Sequence, residues 1–354
     1  MKARDILKFF SAKRILLPIS IGLIISFYLI SRNIKGLSGI DWSSVSLFWL
    51  FVSLCMMVIR DLAYMYRIRV LTDGQISWRN SFDTIMLWEF ASAITPSVVG
   101  GSGVAVYIVH KEGVALGRST AVVMVTALLD ELFYIIMVPI VIGFVGIANL
   151  FPVAMDKSIF GISIGTAEIF VLGYIFIVLL TLIISLAVFV APLTFKKILK
   201  KIFSISFLSK WKEIATQTGD DIITTSKELK GKSLMFWFKA FGATICSWTA
   251  RFWMVNFIIL SFTSVTVGDH FGIYARQLVM WVIMLISPTP GGSGVAEFIF
   301  SGFLKDFIPF GLSVMMAFLW RLLSYYPYLL IGSIVLPSWI RRTFYGRKLI
   351  RFKR

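Results

Sequence analysis

The sequence predicts an all-α polytopic membrane protein made of two inverted-topology repeats, each with three spanning helices and one re-entrant helical hairpin. Three observations predict it. Apolar residues make up 58% of the 354 and charged residues 15%, less charge than a soluble chain of this length carries. Lysine and arginine gather in a few connections, as they do in loops retained in the cytoplasm. The hexapeptide GGSGVA occurs twice, at 100–105 and 291–296, and the same offset of 191 relates Cys55 to Cys246 and Arg60 to Arg251.

The segment 1–14 is basic and precedes the first apolar window, 15–31. No small-residue cleavage site follows clearly, so this window is predicted to be a retained helix rather than a signal peptide. Windows near 45–66, 119–149, 166–192, 236–262 and 310–338 each supply the roughly 20 apolar residues that cross about 30 Å of hydrocarbon. Two further stretches, 82–110 and 273–300, are also apolar but hold prolines and the duplicated glycines. Such residues loosen a helix, and a bilayer offers the freed backbone no water.

Charge decides how those two stretches run. With all eight segments crossing, 16 Lys and Arg fall inside and 14 outside. With the two glycine stretches entering and returning, 26 fall inside and 4 outside, the distribution the positive-inside rule prefers. Length agrees, because a straight helix over 82–110 would measure about 44 Å, whereas two half-passes reach roughly 20 Å each. Three crossings per half then turn the second half, 166–338, upside down relative to the first, 15–149. The linking segment 150–165 is placed outside and both termini in the cytoplasm, in the inner membrane. Inverted repeats with broken helices meeting near the midplane are the sequence signature of transporters.

The net charge of +17 is explained by this topology and not by nucleic acid, since no soluble domain presents it. The connection 194–235 begins as an amphipathic basic helix, and with the basic tail 339–354 it is expected to lie on the anionic inner leaflet. Cys55 and Cys246 are isolated within spans and indicate neither a disulfide framework nor a metal site. His110 and His270 are the only histidines, and no HExxH, Walker A or Cys/His metal spacing occurs. No catalytic residue, metal or cofactor is predicted, and the aromatics are assigned to lipid-facing surfaces and interfacial belts.

Charges inside the apolar segments are the candidates for function. They are Arg60, Lys239, Arg251, Arg276 and Arg321, with Asp61, Glu89, Asp130, Glu131, Glu168 and Glu297. Each costs on the order of 2.5–3.5 kcal/mol at mid-membrane, so each should face protein or a wet cavity. Lys239 and Glu168 lie near span ends, where snorkelling accounts for them. Arg60 and Asp61 are helix neighbours pointing about 100° apart, and are expected not to pair. Asp130 and Glu131 diverge for the same reason.

Two readings stand for Arg60, Arg251 and Arg321: ion pairs with Glu89, Asp130 or Glu297 that hold the halves together, or a cationic lining for a lipid phosphate, which arginine's fork binds through two hydrogen bonds. Two readings also stand for the hairpin tips, Gly100, Gly101, Ser102 and Gly103 in the first and Pro290, Gly291, Gly292, Ser293 and Gly294 in the second. Small residues permit close helix packing, or they free backbone N–H groups at a half-helix N-terminus for an anion.

The stretch SPTPGGSGVAEFIFSGFL, followed by FGLSVMMAFLWRLLSYYPYLLIG, resembles the second signature of the lysylphosphatidylglycerol synthase transmembrane-region family, the flippase-like domain at the front of the multiple peptide resistance factor. The family pattern, Pro-Gly-Gly-x-Gly-x-x-Glu and then Tyr-Arg, falls on Pro290, Gly291, Gly292, Gly294 and Glu297, then Trp320 and Arg321. The first copy resembles the more degenerate first signature, with Asp130 in its acidic place. Thr126–Ala127 stand where the family has Glu-Arg, and Trp320 where it has Tyr.

The resemblance implies a flippase or scramblase moving a phosphate-containing lipid, either a modified phospholipid or a polyprenyl-phosphate-linked sugar. It also implies a stand-alone member without the synthase domain, so a separate lipid-modifying synthase or glycosyltransferase is an expected partner. The alternatives are a small-anion or proton-coupled solute transporter using the same hairpins, and a membrane scaffold that presents lipid to such an enzyme.

Overall fold

The computed structural model describes residues 42–95, 98–152, 157–159, 162–285, 292 and 294–345, with eight helical positions between Leu16 and Ser31. The described residues form helices α1 (Leu47–Leu71), α2 (Trp78–Ile94), α3 (Val98–Lys111), α4 (Leu116–Val145), α5 (Thr166–Ser185), α6 (Pro192–Ile202), α7 (Lys212–Leu229), α8 (Leu234–Leu260), α9 (Val267–Met284), α10 (Val295–Phe303), α11 (Ser313–Ser324) and α12 (Tyr326–Ile340). A wide turn, Leu186–Val190, extends α5, and another, Arg341–Tyr345, extends α12. Five stretches are long and apolar enough to cross a membrane: Leu47–Leu71, Leu116–Val145, Thr166–Val190, Leu234–Leu260 and Ser313–Phe344. They match five of the six predicted windows. Of the sixth, the eight helical positions are described, and Ile19 among them packs on the core.

One element departs from the all-α expectation. In the segment 150–165, β1 (Lys157–Ile159) pairs antiparallel with β2 (Ile162–Ile164), Lys157 opposite Ile164. Strands of three residues are too short for an alternation to be read.

Local chemistry sets the helix ends. Ser77 Oγ accepts from Asn80 N–H at the start of α2, and Ser233 Oγ from Phe236 N–H at the start of α8, each satisfying an orphan donor. Glu168, expected to snorkel, is exposed at the start of α5, where it accepts from Gly165 N–H at 2.9 Å and caps the helix. Pro327 has no N–H and its ring clashes with the carbonyl one turn back, so Ser313–Phe344 breaks into α11 and α12 at Tyr325. The break matters because it aims the Tyr325 hydroxyl at Ala93 O on α2, 2.9 Å away.

Helices α1 and α8, which carry Arg60 and Arg251, pack on each other along their lengths, with Trp49 and Phe257 stacked at 5.5 Å. α2 lies on α12, and α9 lies on α4. The first contact is close because α12 offers Gly332: a Cβ there would stand 2.4 Å from the Phe90 side chain. Leu87, Phe90, Ile108, Leu329 and Trp339 form an apolar cluster joining α2, α3 and α12, separate from the larger cluster of the remaining helices.

The connection 194–235 starts in the helix α6, which carries Lys196, Lys197, Lys200 and Lys201 and exposes Leu193, Ile198 and Ile202. α7 packs against both α6 and α4. At this end of the bundle Asp73, in the α1–α2 turn, accepts from Arg118 and from Lys232. Burial opposes the Asp73 carboxylate, but those hydrogen bonds outweigh it and hold the group below its ordinary value.

Candidate functional site

Arg60, Tyr64 and Arg67 are spaced by four and three residues, so they share one face of α1. Each arginine is neutralised by acids of another helix. Arg60 is fully buried; Nη2 donates to Glu89 Oε1 on α2 at 2.5 Å, and Nη1 to Tyr328 Oη on α12 at 2.6 Å. Nη1 also reaches Asp61 Oδ1 at 2.8 Å, and Tyr328 Oη donates to the same carboxylate. The expectation that Arg60 and Asp61 do not pair is therefore wrong. The arginine stem is long enough to bend back, and the tyrosine hydroxyl bridges the angle between the two side chains.

Arg67 donates through Nη1 to Asp130 Oδ1 at 2.5 Å and to Thr244 Oγ1 at 3.0 Å, and through Nη2 to Asp130 Oδ2 at 3.3 Å. Trp248 Nε1 donates to Asp130 Oδ1 at 2.8 Å. Glu131 turns away from this group and accepts from Thr181 on α5 at 2.7 Å, as its helix position requires. In the second half, Arg321 Nε lies 3.2 Å from Glu297 Oε1, and Glu297 is 1% exposed. Its other oxygen accepts from Gly294 N–H at 2.6 Å, at the start of α10.

Arg251 differs from these. It donates no hydrogen bond to any described residue, and its nearest acid oxygen, Glu89 Oε2, is 3.7 Å from Nη2. Its guanidinium packs beside two indoles that meet edge to face, 5.1 Å from the Trp248 ring centre and 4.9 Å from that of Trp281. This arrangement orients a cation and leaves its donor edge open. Arg251 borders a cavity of about 250 Å³ where α1, α2, α8, α9, α10, α11 and α12 meet, lined also by Glu89, Gly292, Arg321, Tyr325 and Tyr328. Tyr64 and Glu89 form the wall between it and a smaller cavity of about 80 Å³ beside Arg67, Thr126 and Asp130.

Of the candidate residues, Glu89, Arg251, Gly292 and Arg321 line the larger cavity, while Arg60 and Glu297 sit behind it through their ion pairs. Asp130 lines the smaller one. Arg276 is not brought to either, holding Asn149 O, Phe303 O and Asp306 instead. Pro290, Gly291 and Ser293 lie outside the described residues.

The two copies of the hexapeptide differ in form. Gly100, Gly101, Ser102 and Gly103 lie within the helix α3 and not in a loop, and a Cβ on Gly101 would stand 2.4 Å from Ser92 Oγ on α2. Close packing is what that glycine provides. Gly292 and Gly294 have φ of 68° and 87° in the turn before α10, backbone that only glycine adopts at low cost.

Sequence reading missed Arg67, placed in a loop, although its seven-residue spacing from Arg60 puts both on one face. It also gave the aromatics no part in the site, where Tyr64, Trp248, Trp281, Tyr325 and Tyr328 line the walls.

Gly292, Gly294, Glu297, Arg321 and Asp130 are among the positions that carried the resemblance, and comparison with known sequences decides it. The profile described as Lysylphosphatidylglycerol synthase TM region matches residues 15–332. The chain belongs to that family. It is also similar to a UPF0104 membrane protein of Archaeoglobus fulgidus, 26% identical over 268 residues that cover 73% of this chain and 76% of the relative. Membership in a transmembrane-region family, with five helices long and apolar enough to span, makes this an integral membrane protein. The family is a membrane region and not a catalytic domain, and in this chain the cluster of Arg60, Arg67, Arg251 and Arg321 against Asp61, Glu89, Asp130 and Glu297 forms the polar centre of the helices.

Proposed function

We propose that this family member moves a phosphate-bearing lipid between leaflets, with the headgroup in the central cavity and the acyl chains left in the bilayer. The observation that carries the reading is Arg251, a cation held by two indoles in a cavity with no hydrogen bond to a described residue. Every other arginine of the cluster has a close carboxylate. A guanidinium placed this way suits a phosphate, which takes two of its N–H groups at once. Arg321 lines the same cavity and Tyr325 lies over it, 3.7 Å from ring centre to guanidinium carbon. Around them Phe252, Met284, Leu285 and Trp320 are apolar, a lining that favours a lipid over a hydrated solute.

In this reading α2–α3 and α9–α10 are re-entrant hairpins of two inverted repeats. Support comes from the packing. α1 meets α8, its counterpart by the 191 offset, and each hairpin rests on the last span of the other half, α2 on α12 and α9 on α4. Both termini face the cytoplasm of the inner membrane, α6 lies on its anionic leaflet, and a separate lipid-modifying synthase or glycosyltransferase supplies or consumes the lipid.

Reconstitution into liposomes with fluorescent phospholipids of several headgroups tests the function. Flipping that Arg251→Gln abolishes is the expected result. Equal flipping by the variant, or none by the native protein with any phosphate-bearing lipid, overturns the proposal and leaves solute transport or lipid presentation to a partner.

A further inference from the structure

We infer that Glu89 is a built-in competitor for the Arg251 anion site: its carboxylate attracts Arg251 by charge without bonding it, an attraction that a phosphate must replace to bind, so Glu89 sets the affinity and anion selectivity of the cavity. The inference rests on the reading of that cavity as a phosphate site.

The two oxygens of Glu89 are not equivalent. Oε1 lies 2.5 Å from Arg60 Nη2 and Oε2 lies 3.7 Å from Arg251 Nη2. Arg60 is fixed by burial and by its bonds to Asp61 and Tyr328. It therefore anchors the carboxylate at one oxygen and keeps the other from closing on Arg251. Glu89 attracts Arg251 by charge yet satisfies none of its N–H groups. A phosphate in the cavity can approach to about 2.8 Å and take two of them.

The exchange needs little movement, because Glu89 keeps its bond to Arg60 when the phosphate takes Arg251. The free energy of the Glu89–Arg251 attraction is subtracted from binding, as in any equilibrium where the competent state must first be released. A fixed negative charge on the cavity wall also opposes a dianion more than a monoanion.

The sign of one substitution separates this role from others. Glu89→Gln keeps the side chain's size and an acceptor for Arg60 and removes the charge. The native protein, Glu89→Gln and Arg251→Gln, purified in a neutral detergent, are titrated by calorimetry with inorganic phosphate and, separately, with a short-chain phosphatidylglycerol. Binding by Glu89→Gln is expected to tighten roughly fivefold, the size of a partly solvated ion pair, with Arg251→Gln binding neither probe. Glu89→Asp, shorter by one methylene, is expected to give a smaller gain and serves if the Gln variant does not fold.

Unchanged or weaker binding by a folded Glu89 variant, while Arg251→Gln still abolishes it, overturns the competitor role. Weaker binding makes Glu89 a ligand for a cationic part of the cargo, and unchanged binding makes it only the partner of Arg60. Binding that Arg251→Gln leaves intact, or no binding by the native protein, overturns the phosphate site itself. Tightening for inorganic phosphate alone supports the competitor and assigns the site to free anions instead of lipid.

Discussion

Arg60 and Arg251, 191 residues apart in the sequence, converge on one carboxylate, that of Glu89, at 2.5 Å and 3.7 Å. A single acid cannot bond both at full strength while it is anchored by one of them. The result is an unequal pair: Arg60 is locked among Glu89, Asp61 and Tyr328, and Arg251 is left facing the cavity.

The pair should respond oppositely to the same substitution. Arg60→Gln strands Glu89 and Asp61 without their buried cation and is expected to destabilise the protein by about 3 kcal/mol. Arg251→Gln removes no hydrogen bond to a described residue and should change stability by less than about 1 kcal/mol while lowering transport at least tenfold. Thermal unfolding in detergent beside a liposome flip assay measures both, and a large stability loss for Arg251→Gln would contradict the assignment.

Arg321 and Glu297 form an ion pair with the acid fully enclosed. Removing one partner leaves a buried charge, so each single alanine variant is expected to cost about 3–5 kcal/mol, and the double variant to recover most of it. Because Arg321 also lines the cavity, the recovered double variant should stay inactive. Arg321→Lys should transport poorly as well, since an ammonium lacks the bidentate fork. An active double variant would reduce Arg321 to a counter-ion.

Gly101 and Gly103 stand two residues apart on α3 with opposite surroundings. A Cβ on Gly101 meets Ser92 Oγ at 2.4 Å and the Ser92 backbone at 3.1 Å, whereas one on Gly103 meets nothing within 4 Å. Gly101→Ala should therefore cost about 1–3 kcal/mol by overpacking the α2–α3 contact. Gly103→Ala should be neutral or slightly stabilising through helix propensity. Urea or thermal unfolding of the two variants side by side checks this.

The re-entrant course of α2–α3 predicts that both of its ends face the cytoplasm. With Cys55 and Cys246 replaced by serine, single cysteines at the exposed positions Gln75 and Leu116 should react with an impermeant maleimide from the same, cytoplasmic side. Labelling of Leu116 from the outside alone would restore eight crossings and remove the inversion.

By itself the sequence determined most of the spans and, Arg67 excepted, the charged residues of the centre, because each rests on a local cause. Twenty apolar residues need no partner to be read as a crossing, and a proline removes a helix donor, although Pro139 and Pro337 stand inside α4 and α12. It also offered the right acids for the arginines, Glu89 and Glu297 among them. Only the tertiary structure decided which arginine is locked and which is open. Beside the sequence neighbours Asp61 and Trp248, it brings Glu89 and Tyr328 within hydrogen-bond reach of Arg60, and Trp281 against Arg251.

The same holds for GGSGVA, helical in α3 but containing, in its second copy, the positive-φ residues Gly292 and Gly294 just before α10. Identical residues took two shapes because their contacts differ: α2 packs against Gly101 in the first copy, and Glu297 caps the backbone at Gly294 in the second. Local preference in a glycine-rich stretch is weak enough that such neighbours choose the conformation.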